Sequence, residues 1–153
     1  MECRRTTSFP PPPQQGYTLI EAMVAVLVLA IGLLGLAGLQ ATAIRFNHDA
    51  QLRSQATFLA YDITERMRAN LTGAYESGFS GNPNCDTDFT PSGTAPASDD
   101  LEEWRNLLAC LLPRGDGAII RAGDTVTVHI QWNEREDQNA DFLQQFEFST
   151  RLF

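Results

Sequence analysis

Read as a pattern of hydrophobic and polar positions, the chain changes material twice. Between Ala22 and Leu39 stand 18 consecutive residues with no charged or polar side chain, AMVAVLVLAIGLLGLAGL. At ~1.5 Å of rise per residue this block covers about 27 Å as a helix, close to the hydrocarbon thickness of a bilayer, so it predicts a membrane-spanning helix. After Leu39 the continuous run becomes a stripe: Ala41, Ile44, His48, Leu52, Ala56, Leu59, Ile63, Met67 and Leu71 recur at steps of three and four. That is the period of an amphipathic helix, and Arg45, Asp49, Arg53, Asp62 and Arg66 fall mostly off the stripe. No proline interrupts residues 17–70, which predicts one helix of roughly 80 Å that stops at Asn70 to Gly73.

From Thr72 to Ala97 the residues turn to Gly, Ser, Asn, Pro and Asp without a long period, which predicts loop. A short helix over residues 100–112 follows, with Asp99 as N-cap, Glu102 three residues on, a stripe of Leu101, Trp104, Leu108 and Leu111, and Pro113 as the stop. Strands come next. Ala118 to Arg121 turns through Gly123 and Asp124 into Thr125 to Asn133, where Val126, Val128, Ile130 and Trp132 alternate with polar positions. Phe146, Phe148, Thr150 and Leu152 suggest a last strand, joined to the one before by the acidic stretch Glu134 to Asp141. The predicted class is α+β: a long N-terminal helix packed on a small antiparallel sheet.

Composition restricts the chemistry. The 153 residues are 43% hydrophobic and 20% charged with a mean hydropathy of -0.20, an average that neither half of the chain has. Eleven basic residues, all Arg, against nineteen acidic ones give a formal charge of -8, so no basic face suited to a run of phosphates is expected and nucleic acid is excluded as a direct ligand. The part after the apolar block is large enough for one small head. There is no nucleophile elbow, phosphate-cradling glycine loop or zinc spacing, and the sequence predicts neither an enzyme nor a cofactor.

Arg4 and Arg5 ahead of the apolar block invite a secretory reading, but the block exceeds the ~7–15 residues of a signal-peptide core and no small-residue cut site follows it. The arginines predict a cytoplasmic N-terminus, with everything after Gln40 across the membrane. A plain signal anchor would satisfy these facts. Glu21 does not fit it, because a carboxylate at the edge of an apolar span is costly and by default marks a functional pairing. Just ahead of it the chain reads Gly16-Tyr17-Thr18-Leu19-Ile20-Glu21. This sequence resembles the class III signal of type IV prepilins, in which a leader peptidase cuts after the glycine, the new N-terminal residue is methylated and a glutamate stands fifth in the mature chain. The resemblance implies cleavage between Gly16 and Tyr17, N-methylation of Tyr17 and an assembly role for Glu21. Tyr17 stands where the family usually has Phe or Met, and the run Pro10 to Pro13 is unusual for such a leader.

The resemblance divides the chain into a cleaved leader (1–16), a membrane and assembly half of the helix (17–39), an amphipathic half (40–71) and a globular head (72–153). Loss of Glu2, Arg4 and Arg5 with the leader would take the charge from -8 to -9. Cys3 would leave too, so Cys85 and Cys110 remain in an oxidising compartment and are predicted to pair, a bridge with about 3–4 kcal/mol of chain-entropy stabilisation. The segment Thr64-Glu65-Arg66-Met67-Arg68-Ala69-Asn70 and the strand ending Ile130-Gln131-Trp132 are similar to a family of minor pilins, the type IV pilus modification proteins. That narrower likeness implies a subunit that helps initiate pilus assembly in the inner membrane. Its implied partners are other minor pilins, the major pilin, the prepilin peptidase, the assembly machinery and a large tip adhesin. A minor pseudopilin of type II secretion shares the same N-terminus, and a membrane-anchored adhesion or binding module is the reading from a different class.

Several features have a plainer reading. Gly32, Gly35 and Gly38 serve either close packing of small residues or a helix soft enough to extend in a fibre. Arg114-Gly115-Asp116 spells an adhesion tripeptide, yet it occupies an ordinary helix-to-strand turn. Glu134, Glu136, Asp137 and Asp141 lack the spacing of a calcium loop and read as a solvated acidic loop. His48 and His129 have no companions at metal-ligand spacing.

Overall fold

The computed structural model describes residues 16–81, 84–133 and 143–153. The leader with Cys3, Arg4, Arg5 and Pro10 to Pro13, and the acidic stretch Glu134 to Asp141, lie outside these residues. The chain forms two compact units that divide between Ala43 and Ile44, with one helix, α1 (Leu19–Ala69), running through both.

In the first unit every described residue is exposed, so the apolar side chains of the helix there are left uncovered by the other described residues. α1 is long and apolar enough there to cross a membrane.

The second unit holds the rest of α1, a helix α2 (Pro96–Leu111) and strands β1 (Asp116–Ala122), β2 (Thr125–Asn133) and β3 (Leu143–Arg151). The strands form one antiparallel sheet in the order β1-β2-β3. β1 and β2 join through Gly123 and Asp124, where Gly123 takes φ 63°, a conformation glycine adopts without steric cost. The long helix packed on a small three-stranded antiparallel sheet is the α+β architecture expected from the sequence.

The core forms where two periodicities meet. Leu52, Ala56, Leu59, Ile63 and Met67 of α1 cluster with Val126, Val128, Ile130 and Trp132, the alternating face of β2. Each large side chain so buried contributes about 1.5–3 kcal/mol relative to exposure. The helix stripe is narrower in extent and wider in angle than its sequence period suggests: Ala41, Ile44 and His48 are exposed and Leu71 is 40% exposed, while Ala60 and Thr64 join the buried face. Thr64 is tolerated because its hydroxyl donates to the Ala60 carbonyl at 2.6 Å. Trp104 of α2 is fully buried and its indole N–H donates to the Leu59 carbonyl at 2.9 Å, tying α2 to α1. Gly117 lets α2 come close to β1, since a Cβ there would overlap the Trp104 ring.

Three boundaries differ from the sequence pattern. α2 starts at Pro96 rather than 100, with Ala95 as its N-cap and no side-chain cap. Proline at the first helical position is already set for the helix, and the Asp99 carboxylate is used instead on the preceding loop, accepting from Ser92 Oγ at 2.9 Å and the Gly93 amide at 3.0 Å. β1 begins two residues earlier, at Asp116, paired with Gln131. β3 begins at Leu143 and ends at Arg151, because its polar start, Gln144 and Gln145, continues the ladder at an edge where no full burial enforces alternation.

Candidate processing and assembly site

The N-terminal residues that carry the motif are placed by the start of α1. Gly16, Tyr17 and Thr18 have no regular structure, and Tyr17 is 88% exposed. The Ala22 amide donates to the Thr18 carbonyl at 3.3 Å, the first bond of the helix, which makes Thr18 the N-cap residue. The Glu21 amide donates to the same carbonyl at 3.1 Å and lies 3.4 Å from the Thr18 hydroxyl oxygen. Thr18-Leu19-Ile20-Glu21 therefore has the spacing of a capping box and makes its N-cap half, the Thr18 hydroxyl facing the amide of Glu21 at N3.

Glu21 itself is exposed in the first turn, where the positive end of the helix dipole favours a carboxylate. Among the described residues it has no ion-pair partner. α1 continues as regular helix through Gly32, Gly35 and Gly38, and a Cβ at any of the three would meet nothing within 4 Å.

In the second unit Cys85 and Cys110 form a disulfide with Cα atoms 4.7 Å apart, joining the loop after α1 to the end of α2. Asn106 holds the same loop by a second route, accepting from the Asp86 amide at 2.8 Å and donating to the Asp86 carbonyl at 2.9 Å. The two helices are fastened by Arg66, whose guanidinium reaches Asp62 at 3.0 Å, Asp100 at 3.2 Å and Glu103 at 2.6 Å. These partners, the Glu103 hydrogen bond foremost, raise its pKa and keep it cationic. Apart from the i,i+4 pair of Arg66 with Asp62, neither the Arg66 group nor the Asn106 bridge is visible in a periodic pattern, because the other partners lie 20 to 37 residues away. The Thr18 cap could have been found, since Thr-x-x-Glu before an apolar run is a local signal.

The tripeptide Arg114-Gly115-Asp116 is not presented as a ligand. Asp116 is 3% exposed, and its carboxylate accepts amide hydrogens from Ser80 at 3.2 Å, Gly81 at 2.8 Å and Gly117 at 2.8 Å. It pins the loop to β1. His129 Nδ1 lies 4.0 Å from Glu147, and among the described residues no three His, Cys, Asp or Glu side chains gather as a metal site.

Residues 12–37 match the family described as the prokaryotic N-terminal methylation motif. No curated protein matches the chain, and no solved structure does. The matched residues span the glycine, the exposed Tyr17, the capped start of α1 and most of the apolar run. That motif supports a type IV pilin-like or pseudopilin protein, and with the α+β fold it indicates a structural subunit rather than an enzyme.

Proposed function

We propose that the chain is a minor pilin of the PilV kind, a structural subunit that helps initiate type IV pilus assembly and sits at or near the pilus tip. The observation that carries this reading is the N-terminal motif followed by an apolar helix whose side chains are exposed among the described residues. On this reading prepilin peptidase cuts between Gly16 and Tyr17 and the Tyr17 amine is methylated. The subunit waits in the inner membrane on one span with its head in the periplasm, then enters the fibre. The new α-amino group, with an ordinary pKa of about 8, is positive at neutral pH. Packed among like helices it sits beside the Glu21 carboxylate of a neighbour, and the pairing fixes one axial stagger, a register role known for buried polar groups. The partners are other minor pilins, the major pilin, the assembly machinery of the inner membrane and a large tip adhesin.

The N-terminus of the mature protein tests this directly. Intact mass and N-terminal sequencing should give a chain starting at methylated Tyr17, and a start elsewhere overturns the reading. A minor pseudopilin of type II secretion is the second reading, favoured by the fact that the same motif serves both systems. Recovery of the subunit in sheared pili supports the first, and loss of folded-protein export on its deletion supports the second. The adhesion-module reading loses its chief support with the burial of Asp116.

A further inference from the structure

We propose that Thr18 is a positioning residue for the leader-processing reaction: its side chain stops α1 one residue short of Tyr17 and so holds the Gly16–Tyr17 peptide outside the helix. This rests on the reading that the chain is cut at that bond. A peptidase must thread its substrate backbone through the active site, and a peptide folded into a helical turn has its carbonyl and amide engaged along the axis. The geometry places the cap where it matters, with the Thr18 hydroxyl 3.4 Å from the Glu21 amide, the first helical bond leaving from the Thr18 carbonyl, and Gly16 to Thr18 without regular structure.

The alternative start is also readable. Once Thr18 cannot cap, the nearest residue with N-cap preference is Gly16, as Gln14 and Gln15 have little. A helix capped at Gly16 has Tyr17 at its first helical position, and the scissile peptide then lies in the first turn. The same boundary leaves the Tyr17 amine, once released, on an exposed residue ahead of the helix, where a methyl donor's enzyme can reach it.

The test is the rate of leader removal from the full-length precursor, in detergent or liposomes, by a prepilin peptidase. Thr18→Val keeps the shape and removes the hydroxyl. Thr18→Asn changes the shape and keeps a strong cap, and Thr18→Ser keeps both the hydroxyl and a cap. Thr18→Val should be cleaved roughly five-fold more slowly, the population change expected from loss of a typical cap, while Thr18→Ser and Thr18→Asn stay near wild type. Formation of the Cys85–Cys110 bridge checks that each variant folds its second unit. Cleavage of Thr18→Val at the wild-type rate, or of Thr18→Asn as slowly as Thr18→Val, overturns the cap and points to recognition of side-chain shape. If the wild-type precursor is not cut after Gly16 at all, the functional reading fails and the failure is not that of the cap.

Discussion

At the scale of single residues the Asp100 carboxylate joins two side chains from different parts of the head. Its Oδ1 accepts from Arg66 at 3.2 Å and its Oδ2 accepts from the Tyr75 hydroxyl at 2.6 Å. Tyr75 is 2% exposed, and burial, with the Asp100 hydrogen bond second, pushes its phenol up to about 12. The consequence for stability has a definite sign. Between the ordinary value near 10 and the raised one, the unfolded chain has released the phenolic proton and the folded chain has not. Unfolding is then favoured progressively as pH rises through that window, while below about 10 the contribution is fully present. Urea midpoints of the folded head should therefore fall as pH goes from about 10 towards 12, and Tyr75→Phe should flatten that part of the curve. Equal slopes for wild type and Tyr75→Phe would show that the phenol does not titrate this way. The buried Asp116 and the Thr18 cap make the complementary point that a short polar side chain acts by organising backbone amides, a role that composition does not reveal.

At the scale of elements, what the sequence discloses depends on how completely a surface is buried. β2 is covered on one face, so Val126, Val128, Ile130 and Trp132 alternate cleanly and its bounds, Thr125–Asn133, follow from that alternation. β3 is an edge strand with no fully buried residue, and its polar beginning is silent in sequence. In α2 the aspartate that looks like a cap serves the loop before it, and Pro96 sets the start. The stripe of α1 is legible throughout, but its period alone does not say where the sheet stops covering it. The disulfide carries its own prediction. Replacing both Cys85 and Cys110 by Ser should destabilise the head by about 3–4 kcal/mol on the chain-entropy model, read from denaturant midpoints. The Asn106–Asp86 hydrogen bonds should keep that loop on α2 in the native state, so native amide protection at Asp86 should persist in the double variant.

At the scale of the whole molecule, every residue of the hydrophobic core belongs to the second unit, from Leu52 onward, while Glu21 lies in the first. Glu21→Ala should therefore leave the head folded, with the same disulfide and protease resistance, and lower recovery of the subunit in fibres or in the initiating complex several-fold. Wild-type recovery would remove the pairing role proposed for Glu21. The motif that identifies the N-terminal site was legible because it is local, six residues read in a row. The pairing proposed for Glu21 was not, since it would be made with other molecules. The exposure of all described residues before Ala43 also makes the stability of this protein two quantities. The head has an unfolding free energy of its own. The apolar helix ahead of it has only the free energy lent by whatever surrounds it, so its part varies with lipid and with subunit concentration by mass action, and no single melting temperature describes the chain.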